Sequence, residues 1–236
     1  MLQSKYARRA IVISLSLFLI FLVAFGFSPE WWDDIDARKA DTLAWRLSMA
    51  SAYTSVLMLA MTLSIGSINL LRNRPNPPHN PLRRAFGVTS AIYALVHLVF
   101  GVNIHWHGWA IYWQFIKLYP DAPIPIGLRL DIFGVANNIG LLQAGLFIVL
   151  VVLSTNWAMR RFKINRWKQL QRLTYIVVLL IFIHGILYQI IEERQLIVRL
   201  FFIAIMVFVV VMQAIGIMIR WRRPSNFTGK LHNQEG

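Results

Sequence analysis

A chain of 236 residues that is 57% hydrophobic and only 14% charged, with its apolar residues in long blocks, is a membrane protein and not a water-soluble domain. A formal net charge of +14 would point to nucleic acid in a soluble protein; here the basic residues stand in short clusters between the apolar blocks, as topology signals do, so no nucleic-acid partner is expected. With no cysteine, disulfides, thiolate-ligated iron-sulfur clusters and CxxCH heme attachment are excluded.

Crossing a hydrocarbon core of about 30 Å takes about 20 apolar residues in a helix. Six blocks reach that length, at roughly 10–28, 44–71, 85–104, 132–154, 173–190 and 197–219. They predict an all-α membrane protein, a six-transmembrane-helix bundle. The first block follows Lys5, Arg8 and Arg9 as a signal peptide would, but its apolar run is too long for an h-region and no A-x-A site follows, so it reads as an anchor. The connector RNRPNPPHNPLRR is proline-broken and cannot be helical throughout.

The connectors SPEWWDDIDARKADTLAW and IHWHGWAIYWQFIKLYPDAPIPIGLRLD carry Trp31, Trp32, Trp45, Trp106, Trp109 and Trp113, the residues of an interfacial belt. The second is long and apolar enough around GWAIYWQFI to form an interfacial helix or a docking surface. MRRFKINRWKQLQR is a basic lead into the fifth block, and PSNFTGKLHNQEG is a short polar tail that reads as disordered. The expected organisation is an anchor and outer loop over 1–39, a core over 40–192, a sixth helix over 193–223 and a tail over 224–236. No soluble nucleotide-binding domain is expected, since the tail is short and GxGxxG is absent.

Charge sets the orientation. Lys5, Arg8, Arg9, Arg72, Arg74, Arg83, Arg84, Arg160, Arg161, Lys163, Arg166, Lys168, Arg172, Arg220, Arg222, Arg223 and Lys230 fall on one side, and all acidic residues but Glu235 fall on the other. The basic side is expected to be cytoplasmic, with both termini there.

Two histidines lie inside apolar runs, His97 in AIYALVHLVFG and His184 in LLIFIHGILY. Counting 13 residues from Arg84 places His97 about 20 Å in, and counting 12 from Arg172 places His184 about 18 Å in. Both helices run inside to outside, so the imidazoles share a level in the outer half. Ionisable groups at such depth are functional candidates, as packing residues, a proton relay or metal ligands. Two imidazoles at one level on parallel helices suit a heme held from both faces, a low-spin b-type iron that passes single electrons.

RRAFGVTSAIYALVHLV, NNIGLLQAGLFIVLVVLSTNWAMRRF and INRWKQLQRLTYIVVLLIFIHGILY resemble the ferric-reductase-like transmembrane family over about residues 40 to 192. The resemblance is nearest to its branch of heme-binding membrane subunits of periplasmic methionine sulfoxide reductase systems. It is carried by the arginine-led third helix with His97, by Ser154 and Thr155, by Trp167, Leu170, Arg172 and Tyr175, and by His184. It implies a membrane b-type cytochrome with His97 and His184 as axial ligands of heme b. It also implies quinol or a flavin reductase, hence quinone or FMN, as donor on the inner side. A periplasmic oxidoreductase is the implied acceptor, with methionine sulfoxide repair as the process in the nearest branch. Arg46 matches a family arginine and reads either as a partner for a heme propionate or as an interfacial anchor.

Where the family carries histidine in W-x-x-L-H, this chain has Gln171, and the position 13 before His97 is Arg84. A second, inner heme therefore lacks ligands, and one heme is expected. His79 and His232 read as solvated; His105 and His107 read as interfacial polar residues, with a metal or an electron exit as the alternative. Ser48, Ser51 and Ser55 at helical spacing suit close packing, while Asn137, Asn138 and Gln143 read as interhelical hydrogen-bonders or quinone contacts. The alternatives to an electron-transfer subunit are a ferric or other metal reductase, a heme-free scaffold and a transporter; for the last there is no inverted repeat and no membrane-embedded acid.

Overall fold

The computed structural model describes residues 2–27, 43–75, 77, 80–104, 114–118, 126–194 and 196–222. In chain order the elements are α1 (Leu2–Phe27), α2 (Leu43–Leu71), α3 (Pro81–Ile104), β1 (Ile116–Leu118), β2 (Ile126–Leu128), α4 (Ile132–Leu153), α5 (Asn156–Arg161), α6 (Ile164–Gln171), α7 (Leu173–Ile191) and α8 (Leu196–Arg222). Among the described residues six helices are long and apolar enough to cross a membrane: α1, α2, α3, α4, α6 continuing into α7, and α8. The six-helix all-α architecture is as the sequence predicts.

The helices sort by how much of each is hidden. α2 is the centre, packed against α1, α3 and α8, while α4 packs against α7 and α3. Lipid tails are as apolar as leucine, so helices in a bilayer associate through close contact and interhelical hydrogen bonds. The sequence of α2 supplies both. Its buried Ser51, Thr54, Thr62 and Ser64 hydroxyls turn back on carbonyls of the preceding turn, at 2.6 to 2.7 Å for the i−4 bonds, and so bury without an unmet donor. Ser55 and Ser90 exchange hydrogen bonds reciprocally, each hydroxyl donating to the other's carbonyl at 2.9 Å, which ties α2 to α3. On the opposite side α8 comes so near that a Cβ on Gly216 would sit 2.6 Å from Ser67 Oγ. The outward faces of α1 and α8 carry Val12, Ile20, Val210 and Trp221, all more than half exposed, as a lipid-facing surface requires.

The two ends differ. At the basic end the described residues are tied by polar anchors: Arg84 Nη1 donates to Asn156 Oδ1 at 2.6 Å, and the buried Trp167 indole donates to Leu153 O at 2.8 Å, which tucks α6 under the end of α4. At the opposite end Asp131 caps α4 by accepting from Gly134 N at 2.8 Å, with Arg129 Nε paired to the same carboxylate. The described parts of the long connector form a strand pair, while most of GWAIYWQFI, where an interfacial helix or docking surface is expected, lies outside the described residues. Residues 116–118 and 126–128 pair antiparallel, Ile116 opposite Leu128. Residues 105–113, with His105, His107 and most of GWAIYWQFI, lie outside the described residues, as do residues 28–42, His79, His232 and the tail.

Candidate cofactor site between two helical histidines

α3 and α7 both start at the basic end, and each carries its histidine beyond its own midpoint. The fold brings the two together: the His97 and His184 rings lie 6.2 Å apart between centroids, nearly perpendicular at 82°. Each ring is held from behind. His97 Nδ1 lies 3.0 Å from the Ser48 carbonyl and 2.9 Å from Ser48 Oγ, and His184 Nδ1 lies 2.9 Å from the Ala136 carbonyl. A carbonyl oxygen only accepts, so each Nδ1 carries the proton and donates, and each Nε2 keeps its lone pair. Neither Nε2 has a hydrogen-bond partner among the described residues.

Two glycines make room for these rings. A Cβ on Gly140 would lie 2.9 Å from His184 Cε1 and 3.2 Å from its Nδ1, closer than a side chain can stand, so only glycine lets the imidazole rest against α4. Gly101, one turn beyond His97, would place a Cβ 3.4 Å from Ser48 Oγ and 3.8 Å from His97 Cε1.

Both histidines line a cavity of about 140 Å³, part of about 1170 Å³ of atom-free space that includes its open mouth. Its walls come from α2, α3, α4, α7 and the start of α8, and are mostly apolar, with Met49, Phe147, Ile181 and Phe202 among them. The donor set fits a heme on three counts. Metal–imidazole bonds run at about 2 Å, which sets two rings on either side of one ion about 6 Å apart between centres. Each ring has its outer nitrogen fixed by a carbonyl, the arrangement that orients histidine ligands. Among the described residues no third His, Cys, Asp or Glu joins the pair, a donor set that suits an ion whose remaining ligands come from a macrocycle.

Polar groups collect on the mouth side. Tyr188 lies against His184, ring centroids 4.9 Å apart, and donates its hydroxyl to Asn137 Oδ1 at 2.6 Å. Asn137 Nδ2 reaches Gln114 O, Asn138 Nδ2 reaches Arg129 O and Phe115 O, and Gln114 Nε2 donates to Val102 O, so these amides stitch the strand pair over the ends of α3 and α4. Gln143 and Gln189 also line the cavity, and the Oε1 of each is buried without a hydrogen bond. Arg194 and Glu192 complete the rim: Arg194 Nε and Nη2 both donate to Glu192 Oε2, at 2.8 and 2.5 Å. Burial works against the Arg194 charge, but the Glu192 carboxylate paired with it holds its pKa above the ordinary arginine value.

The sequence-predicted residues fall unevenly. His97 and His184 are together, as the depth count requires. Arg46 is not among the cavity-lining residues; its Nη1 is 3.9 Å from where a Gly26 Cβ would be, beside α1, a placement that suits the anchor alternative. Asn137 and Asn138 serve as interhelical hydrogen-bonders, while Gln143 faces the cavity. Of the α2 serines, Ser51 and Ser55 pack as expected, but Ser48 holds His97. Gln171 ends α6, just before the helix breaks at Arg172, and Arg84 is bonded to Asn156, so neither faces the histidine pair. Sequence reasoning passed over Gly140, Gln189 and Arg194. For Gly140 there was a signal, a glycine in mid-helix with no turn to make.

The family described as ferric reductase like transmembrane component matches residues 47–182, more than half of the chain, a stretch that includes His97 and ends two residues short of His184. No curated protein matches it.

Proposed function

This chain belongs to the ferric-reductase-like transmembrane family, and from that premise we propose that it is the b-type cytochrome subunit of a membrane electron-transfer system, holding one heme between His97 and His184. The observation that carries the reading is the pair of facing imidazoles, each with Nδ1 committed to a backbone carbonyl and Nε2 without a partner. Heme bound through two imidazoles supplies reversible one-electron chemistry without an open position for oxygen.

The protein's part is binding, orientation and exclusion of water. Ser48 O and Ala136 O fix both rings in the tautomer that leaves Nε2 as a ligand. Gly140 and Gly101 set how near the rings come to the helices behind them. The mostly apolar walls limit water around the histidines, and Asn137 and Asn138 hold the segments flanking the strand pair to the start of α4.

The basic end faces the cytoplasm under the positive-inside rule, with both termini there, which puts the histidine pair toward the outside of a bacterial inner membrane. Electrons enter from quinol or from a flavin reductase near the inner basic cluster and leave to a periplasmic oxidoreductase. The nearest branch of the family makes repair of oxidised methionine the process served, a reduction that takes two electrons and two protons per sulfoxide. The family description equally suits reduction of ferric iron outside the membrane. A neighbouring gene for a secreted molybdopterin enzyme supports the first process, and a flavin reductase or siderophore cluster supports the second.

The reading is tested by a dithionite-reduced minus oxidised spectrum of the purified protein. A b-type α-band is expected, abolished by His97→Ala and by His184→Ala and retained in His79→Ala. A wild-type protein with no such band removes the proposal.

A further inference from the structure

We propose that Arg194, with the Gln189 amide beside it, is the carboxylate anchor of the cavity, taking a propionate side group of the heme in place of Glu192. The inference rests on the heme reading above and adds to it the residues that hold the acidic edge of the ligand.

The chain path makes the placement. Glu193 has φ 45, a left-handed conformation that folds the backbone over at the end of α7, and Arg194 N returns to Gln189 O at 3.2 Å. The Arg194 side chain is thereby turned inward; it is 10% exposed and lines the same cavity as His97 and His184. A guanidinium presents a rigid fork suited to both oxygens of a carboxylate. Here two of its donors converge on a single oxygen, Glu192 Oε2, so the fork is occupied without being matched.

The second observation is independent of the arginine. Gln189, one turn back on α7, is 4% exposed and lines the cavity, yet its Oε1 is buried with no partner and its Nε2 makes no hydrogen bond among the described residues. A buried amide left unpaired is costly, by about 1–3 kcal/mol in protein cores. Its presence on a cavity wall marks where a polar group of the ligand belongs. An amide can turn its NH₂ toward a carboxylate oxygen, and Gln189 lines the same cavity as Arg194. Hydrophobic walls around the histidines and a cation with an amide at the rim match a molecule with an apolar body and an acidic edge.

The test compares heme with its dimethyl ester, in which both propionates are neutral, by Soret titration of full-length apoprotein in detergent. Wild type is expected to bind the free acid more tightly, on the order of tenfold or more, the worth of one charge-assisted hydrogen bond. Arg194→Leu should bind both forms alike. Because that variant leaves Glu192 buried and alone, the double variant Glu192→Gln with Arg194→Gln, which leaves no unpaired charge, serves as the second case and should also lose the preference. Glu192→Gln alone should raise it, since the competing carboxylate is gone, and Arg46→Gln should leave it unchanged. Equal binding of acid and ester by wild type, or a full preference retained in the double variant, overturns the anchor while leaving the heme reading intact. Binding of neither form by wild type overturns the heme reading itself.

Discussion

The two halves of the bundle are built from the same helices and differ in kind. In the half away from the basic end, α3 and α7 carry facing histidines, glycines set their distance from the helices behind, and a cavity opens among polar rim groups. Nearer the basic end α2, α7 and α8 close on apolar side chains. The space among Val56, Leu59, Leu63, Val178, Met206 and Val209 is a void of only about 10 Å³, at the lower bound of what one water occupies and without a polar wall to hold it. The positions 13 residues before the histidines are Arg84, bonded to Asn156, and Gln171, which ends a separate short helix. A cofactor level in this fold needs ligands, a small residue behind each ring and a gap in the packing. Among the described residues the first half brings these together around His97 and His184, while the side chains 13 positions earlier, Arg84 and Gln171, do not line that cavity.

The comparison can be broken most sharply at Gly140. Alanine there puts a methyl 2.9 Å from His184 Cε1, and the ring must swing off the Ala136 carbonyl. We expect heme affinity to fall on the order of tenfold to a hundredfold, the range for losing the partner that orients a ligand. Heme retention through gel filtration checks it, with an unchanged elution profile showing that the bundle still folds. Ser48→Ala is expected to do less. The carbonyl that accepts from His97 Nδ1 stays in place and only the hydroxyl contact is lost, so affinity should change by less than about tenfold while the midpoint potential shifts, read by redox titration. Smallest is Gln171→His, which restores the missing side chain without the space around it. Its heme content should equal that of wild type; a second heme there would show that the ligand alone, and not the packing, sets the number of sites.

Much of this was legible in the sequence because it depends on distance along one helix. Basic residues mark where a span begins, the rise per residue is fixed, and the shared level of His97 and His184 follows from counting. The six spans follow from apolar length in the same way. What stayed hidden depends on the rotation of one helix against another. That Ser48 would turn its carbonyl to His97, while Ser51 and Ser55 bond within or between backbones, is a matter of facing and not of spacing. Arg46 and Arg194 show the same limit. Both sit near the end of a span away from the basic end, yet the left-handed Glu193 folds Arg194 onto the cavity, and no glycine announced that turn. The strand pair was hidden for a different reason: strands of three residues, 116–118 and 126–128, are too short for an alternating pattern to show.

The central claim, one tetrapyrrole held by one histidine pair, is tested most directly by the molar ratio of heme b to protein in the purified full-length chain, measured as the pyridine hemochrome. A ratio near one, falling to zero in His97→Ala and in His184→Ala, is the predicted result. A ratio near two, or heme retained when both histidines are replaced together, would contradict it.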